Sequence, residues 1–145
     1  MKGTMQEDNL LTEDDVVRYT VTWLERCGFR MVKPPCFGRS KGDDVSAVND
    51  NGVEIYVECK GAISKSGNKL HDWQNAAMAI FGAIVETEFR RPSKRLAIAV
   101  PETASYRTML DPSRNFLARK SITLLWVRQG GEIIVDGAPN NSLQA

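Results

Sequence analysis

Two short strands joined by a turn are predicted between Asp43 and Lys60, and this segment constrains the fold more than any other part of the chain. Residues 53–60 alternate between two kinds of side chain, as in a strand with one buried face. One face carries Val53, Ile55, Val57 and Cys59, and the other carries Glu54, Tyr56, Glu58 and Lys60. Glu58 and Lys60 are therefore predicted to be neighbours on one face.

The turn between the two strands decides which acid lies opposite Glu58. Asp50-Asn51-Gly52 is typical of a three-residue loop closed by a left-handed glycine and a bulge. That loop places Asp44 opposite Glu58, on the same face of the hairpin. A two-residue Asn51-Gly52 turn would shift the register by one and bring Asp43 there instead. We favour the three-residue loop, and hence Asp44.

This hairpin would gather two carboxylates and one ammonium group at one end. Carboxylate oxygens suit a hard divalent cation, and a cation beside a charged amine suits metal-assisted hydrolysis of a phosphodiester. The same residues also fit a solvated strand face with a cross-strand ion pair. Spacing alone therefore leaves a metal site and a solvated face both open.

The length and composition of the chain are those of a single domain. It has 145 residues, of which 42% are hydrophobic, and we expect one domain at residues 10–137 with loose ends at residues 1–9 and 138–145. No signal peptide and no apolar run of membrane-spanning length is evident. The three cysteines fit no metal-ligand spacing, which favours a reduced, cytoplasmic setting.

Helices and strands alternate along the chain, which predicts a mixed α/β sheet covered on both faces. The first helix begins after Thr12 and stops at Gly28. A second helix is predicted from Leu70 to about Glu88, and a third over residues 105–120, broken near Pro112. Strands are predicted at 29–33, 96–100 and 122–127, with a short last one at 133–135. The buried stripe of the second helix is predicted as Leu70, Trp73, Ala77, Ile80, Phe81 and Ile84.

Three segments together resemble the PD-(D/E)xK nuclease superfamily: Leu24 to Phe29 at the end of the first helix, Gly42-Asp43-Asp44-Val45, and Val57-Glu58-Cys59-Lys60-Gly61. Within it, the chain looks closest to restriction-endonuclease-like and Holliday-junction-resolvase-like domains, over about residues 12–127. The resemblance implies a restriction-endonuclease-like α/β fold, a mixed central β-sheet flanked by helices in the order α-β-β-β-α-β-α-β.

The resemblance also implies a catalytic site, whose members here are Asp44, Glu58, Lys60 and Gln74. Asp44, Glu58 and the backbone carbonyl of Cys59 would bind Mg²⁺ or Mn²⁺. Gln74 matches a glutamine early in the helix after the motif, and it is expected at the rim of the buried face of that helix.

An acid in the first helix is a further metal contact in many members, and here the chain departs from the pattern. The position at which resolvases carry that acid is Val17. Glu13, Asp14 or Asp15 could substitute, but capping and compensation of the helix dipole explain them at least as well. They are left out of the predicted site, and whether one contributes stays open.

Basic residues near the motif predict contacts with nucleic-acid phosphates. Arg39, Lys41, Lys65 and Lys69 flank the hairpin, and further basic residues are concentrated at positions 90–120. DNA is the expected partner, with RNA not excluded and no membrane involved. No domain for reading sequence is evident, so we expect recognition of nucleic-acid structure or ends, a homodimer on a symmetric target, or a separate specificity partner.

These expectations combine into a metal-dependent nuclease that hydrolyses phosphodiester bonds of DNA, as an endonuclease of restriction, repair or recombination type. The alternative is a catalytically silent nucleic-acid-binding or assembly module on the same fold. The complete set of Asp44, Glu58 and Lys60 favours the enzyme, because a silent relative would be free to lose one of them.

Overall fold

The computed structural model describes residues 11–35, 44–62, 69–85 and 95–136, and for residues 69–72 it describes the backbone only. Both predicted loose ends, residues 1–9 and 138–145, lie outside the described residues, as do the first and last positions of the predicted domain, residues 10 and 137. Arg39, Lys41 and Lys65 also lie outside them, and for Lys69 only the backbone is described.

The first helix, α1 (Glu13–Arg26), begins at a capping box. The Thr12 hydroxyl accepts a hydrogen bond from the Asp15 N–H at 3.1 Å, and an Asp15 carboxylate oxygen accepts from the Thr12 N–H at 3.0 Å. The helix ends before Gly28, whose φ of 92° is left-handed. The predicted start and stop of this helix are therefore confirmed.

Six strands form one mixed sheet in which spatial order follows chain order. The strands are β1 (Phe29–Met31), β2 (Val45–Asn49), β3 (Glu54–Cys59), β4 (Arg95–Pro101), β5 (Ile122–Val127) and β6 (Ile133–Asp136). The β3/β4 and β4/β5 pairs are parallel, and the remaining pairs are antiparallel. The C-terminal ends of β3, β4 and β5 therefore meet at one edge of the sheet.

Helices cover both faces of this sheet, so the predicted α/β class is confirmed. On one face, α1 packs on the apolar side chains of β2 and β3 and on alternate residues of β4 and β5. The other face carries α2 (Lys69–Val85), α3 (Ala104–Leu110) and α4 (Arg114–Arg119). A 3-10 turn over Asp111–Ser113 separates α3 from α4, at the predicted break.

The predicted buried stripe of α2 is wrong at three positions and confirmed at Ile80. Trp73, Ala77 and Phe81 are exposed, whereas Ala76, Ala79 and Ala83 are buried against the sheet, with Ile80 packed beside them. A helix presenting alanines can lie close to a sheet, and this segment is apolar around most of its circumference. Helical periodicity therefore gives little basis for choosing which face of this segment is buried.

Candidate active site

The hairpin between β2 and β3 has the predicted three-residue loop. The Asn49 N–H donates to the Val53 carbonyl at 3.0 Å, the Gly52 N–H donates to the Asn49 carbonyl at 3.0 Å, and Gly52 has a φ of 82°. Val45 pairs with Val57 as a result. Asp44, one residue before this pair, is therefore in register with Glu58, as the turn chemistry predicted.

Asp44 is bound to the backbone of β3 where the β2/β3 ladder ends. Its Oδ2 accepts a hydrogen bond from the Cys59 N–H at 2.8 Å. The N–H and C=O groups of one strand residue point to the same neighbouring strand, so the Cys59 carbonyl is directed to the side of Asp44. The Asp44 carboxylate and the Cys59 carbonyl are therefore at the same strand end, and their use as metal ligands stays a prediction.

Burial raises the pKa of Asp44 to about 7. The hydrogen bond from Cys59 lowers this pKa, the Glu58 and Glu13 carboxylates raise it, and Lys60 lowers it. Asp44 is therefore surrounded by more negative than positive charge.

Glu58 is held by two neighbours on its own strand face. The Tyr56 hydroxyl donates to Glu58 Oε1, and Lys60 Nζ lies 3.3 Å from Oε2. The side chains of Lys60 and Glu58 are only 21% and 20% exposed, so this ion pair is largely shielded from water. The predicted pair of Glu58 and Lys60 is thus brought together on the face that carries Asp44.

The segment after Lys60 is fixed on several sides. The Lys60 N–H donates to the Ala99 carbonyl at 3.0 Å, and the hydroxyl of the buried Tyr106 donates to the Gly61 carbonyl at 2.9 Å. A Cβ at Gly61 would lie 2.2 Å from the backbone nitrogen of Glu13. Glycine is therefore required here for close approach of the start of α1 to the end of β3.

This close approach brings Glu13 to the site. Although the residue as a whole is exposed, partial burial of its carboxylate raises the pKa of Glu13, Lys60 lowers it, and Glu58 and Asp14 raise it. Asp15, in contrast, forms the capping box and an ion pair with Arg18. Among the first-helix acids, Asp15 is thus the capping residue, and Glu13 is the acid within electrostatic range of the site.

Sequence reasoning left Glu13 out because capping explained all three acids of the first turn. The Thr12-x-x-Asp15 spacing was the available signal, because it identifies Asp15 as the capping residue and leaves Glu13 without that role. Val17, where a resolvase would carry an acid, is fully buried in the core.

Gln74 is on the exposed side of α2, so its expected placement at the rim of the buried face is wrong. The helix connects the parallel strands β3 and β4, so its first turns lie at the sheet edge that carries Lys60. The hydrogen bonds described for residues 69–85 do not join Gln74 to Asp44 or Glu58. Its membership of the site stays a prediction.

Part of the basic region at positions 90–120 is neutralised. Arg107 pairs with Glu102 at 2.7 Å and with Asp111 at 3.2 Å, and Arg114 pairs with Asp136 at 3.1 Å. Arg107 also stacks over the buried Trp126 ring, 4.0 Å from its centroid. These two arginines hold the α3 region together, which removes them from the set of free phosphate contacts.

The donor set at the end of β3 fits a hard divalent cation in its chemistry. Asp44, Glu58 and the Cys59 carbonyl supply oxygen ligands, and a cation would offset the charge that opposes ionisation of Asp44. Within residues 11–35, 44–62, 69–85 and 95–136, no three His, Cys, Asp or Glu side chains already converge on one point as ligands. Binding would therefore require Glu58 to exchange Lys60 for the ion.

Comparisons with known proteins show limited similarity. No protein-family model and no curated protein matches the chain. The crystal structure of an FdxN element excision controlling factor protein from Anabaena variabilis is similar at 21% identity, with a TM-score of 0.45, over 83% of this chain and 96% of that chain.

In the described part of the chain, none of the helices has the length and apolar character needed to cross a membrane.

Proposed function

We propose that this chain is a nuclease of the PD-(D/E)xK type, dependent on Mg²⁺ or Mn²⁺, that hydrolyses phosphodiester bonds of DNA as an endonuclease of restriction, repair or recombination type. The observation that carries the proposal is the hairpin register, which sets Asp44 opposite Glu58. Lys60 lies 3.3 Å from Glu58 on the same face, so two acids and an amine meet at one sheet edge. Glu13 adds a third acid within electrostatic range.

Each residue has a role in this proposal. Asp44, Glu58 and the Cys59 carbonyl hold the ion, which when bound supplies Lewis acidity and lowers the pKa of a coordinated water. Lys60, released from Glu58, donates to the attacking water or to a phosphate oxygen and stabilises the negative charge that develops there. The role predicted for Gln74 is to orient the water or the phosphate, which would require its exposed side chain to turn towards the sheet edge.

The reaction is a hydrolysis. Water attacks the phosphorus, the bond from phosphorus to the 3′ oxygen breaks, and that oxygen takes up a proton. The products implied by the resemblance are a 5′-phosphate and a 3′-hydroxyl. The attacking water loses a proton in this reaction. Bulk water or the carboxylates at the sheet edge can accept that proton, so Lys60 does not need to act as a base.

The proposal extends to partners and setting. Arg39, Lys41, Lys65 and Lys69 flank the motif in sequence and would contact phosphates without reading bases. A separate specificity partner, or recognition of DNA shape, would then choose the target, and RNA is retained as a second substrate class. The free Cys27 and Cys59 support a reduced, cytoplasmic setting.

A cleavage assay with several nucleic acids tests this function. Supercoiled plasmid, linear duplex, single-stranded DNA, a four-way junction and RNA are incubated with the protein in Mg²⁺, Mn²⁺ or EDTA. We expect metal-dependent cleavage of at least one DNA, reduced about a hundredfold or more in Asp44→Asn, Glu58→Gln and Lys60→Ala. Glu54→Gln is the matched control, because Glu54 is exposed on the same strand and the same face.

Two outcomes would contradict the proposal. Cleavage that is unchanged in the three site variants would refute the site, because a contaminating nuclease or another centre would then be responsible. Binding of DNA without cleavage of any substrate would favour the silent binding module. The observation in favour of that second candidate is that the described side chains do not form a ready set of three metal ligands.

A further inference from the structure

Helix α2 is apolar on the face that points away from the sheet. Its inner face is made of small residues, Ala76, Ala79 and Ala83, whereas Trp73, Met78 and Phe81 are 54%, 64% and 64% exposed. The larger apolar side chains of this helix are therefore on its outside. A helix that only covers a sheet normally has its larger apolar side chains against the sheet and polar side chains outside, which is the opposite of this arrangement.

Charge is absent from most of this helix. From Gln74 to Val85 the sequence has no Asp, Glu, Lys or Arg. A helix that is apolar around its whole circumference is normally buried in the functional assembly, and contiguous exposed apolar patches mark interaction sites. The outer face of α2, defined here by Trp73, Ala77, Met78 and Phe81 with the polar Gln74 among them, therefore fits a partner of largely apolar character.

We propose that the outer face of α2 binds the same face of a second copy of this chain, as an antiparallel helix pair. Trp73 and Phe81 are each four residues from Ala77, so a two-fold axis near Ala77 sets Trp73 opposite the partner subunit's Phe81. The small Ala77 at the crossing point lets the two helices approach to about 8–10 Å. Uncharged, identical faces meet without like-charge repulsion.

The segments outside the described residues are poor candidates for covering this face, because each is charged or largely polar. Residues 1–10 include Lys2, Glu7 and Asp8, and residues 36–43 include Arg39, Lys41 and Asp43. Residues 86–94, which follow α2 directly, include Glu86, Glu88, Arg90, Arg91 and Lys94. Residues 63–68 and 137–145 are composed largely of Gly, Ser, Asn and other polar residues. These compositions do not match an uncharged surface with two aromatic rings, whereas a second outer face of α2 does.

The size of the face predicts a modest affinity. Trp73, Met78 and Phe81 together with their neighbours would bury about 600 Å² per copy, or about 1,200 Å² in total, which is near the lower limit for a specific interface. We therefore expect a dimer that dissociates in the micromolar range. The pairing would also place two sheet edges in one particle, although the dimer itself does not depend on the proposed nuclease function.

Sedimentation equilibrium of the full-length chain tests the dimer, over about 1–200 µM, a range that brackets the expected dissociation constant. We expect a concentration-dependent mass that approaches two chains in the wild type and stays at one chain in Phe81→Glu. Val135→Glu is the matched control, since Val135 is a 47% exposed apolar residue on β6, and it should leave the dimer intact. Circular dichroism establishes that both variants are folded.

The fluorescence of Trp73 gives a second measurement. Of the three tryptophans, Trp73 is 54% exposed, Trp126 is fully buried and Trp23 is partly buried on the core beneath α1. Dimer formation should therefore shift the emission of the wild type to shorter wavelength with concentration, and Trp73→Phe should abolish the shift. A wild type that stays at the mass of one chain over the whole range would overturn the proposal. A dimer unaffected by Phe81→Glu would also overturn it, because the contact would then lie elsewhere.

Discussion

Glu58 has neighbours at both of its carboxylate oxygens, and the two contacts would respond differently to a bound cation. Lys60 at Oε2 carries positive charge and would be displaced by a metal ion, whereas Tyr56 at Oε1 is neutral and is compatible with one. The Lys60 contact balances the negative charge of Glu58 in the metal-free protein. The Tyr56 contact would keep the carboxylate in place if a metal ion took over that role from Lys60.

Tyr56→Phe is expected to weaken metal binding. Loss of a hydrogen bond to a ligating carboxylate typically costs about tenfold or more in metal affinity, so the Mn²⁺ dissociation constant should rise by about tenfold. Titration calorimetry with the variant measures this. Tyr19→Phe, the same change in a half-buried tyrosine of α1, should leave the dissociation constant unchanged. Equal affinities for the wild type and Tyr56→Phe would show that the tyrosine has no role in positioning Glu58.

Asp44 should make the metal-free protein less stable as the pH rises. Its pKa is raised from the usual 3.8 to about 7, so its contribution to stability is fully present below about pH 4 and is lost as the pH rises through about 7. In EDTA, urea unfolding should show a loss of stability between pH 4 and pH 8 that is smaller in Asp44→Asn. A rise of about three pKa units corresponds to about 4 kcal/mol at about 1.4 kcal/mol per unit, and the contact of the carboxyl with water reduces the expected difference to about 1–2 kcal/mol.

The exposed Asp50→Asn, at the other end of the same hairpin, is the control for that measurement. It should reproduce the pH dependence of the wild type. The same fall in stability for wild type and Asp44→Asn would mean that Asp44 titrates at its ordinary pKa in the folded chain.

At the scale of elements, the end of β3 is the point at which three parts of the fold meet. The start of α1 packs on Gly61, Tyr106 of α3 donates to the Gly61 carbonyl, and β4 pairs with the Lys60 N–H. The position of Lys60 is therefore set by elements distant in sequence. The hairpin alone would position Asp44 and Glu58, but not the acid of α1.

Gly61→Ala is expected to be strongly destabilising. The new Cβ would lie 2.2 Å from the Glu13 nitrogen, and backbone atoms must shift to relieve the contact. Overpacking of this kind costs about 1–3 kcal/mol, which urea unfolding would detect. Gly82→Ala in α2 is the control, because its Cβ would meet nothing within 4 Å and alanine favours a helix. A loss of stability in Gly61→Ala no larger than in the control would contradict the close packing of α1 against β3.

At the scale of the whole molecule, the structure could be predicted from the sequence where local interactions determine it. Asp50-Asn51-Gly52 fixed the hairpin register, and the alternation of residues 53–60 fixed the faces of β3. Helix α2 was predicted in place but with the wrong face, because its segment is apolar on both sides. The sequence left open whether Glu13 contributes, because its approach to the site depends on tertiary packing at Gly61, although the Thr12-x-x-Asp15 spacing does identify Asp15 as the capping acid.

Cation binding by the whole molecule can be tested without knowledge of the substrate, because the proposed function depends on a cation site at the end of β3. Titration calorimetry of the EDTA-treated, dialysed protein with Mn²⁺ measures this directly. We predict about one ion bound per chain in the wild type and in Glu54→Gln, and binding weakened about a hundredfold or abolished in Glu58→Gln. A wild type that binds no Mn²⁺ at millimolar concentration, or a Glu58→Gln variant that binds as the wild type does, would contradict the account.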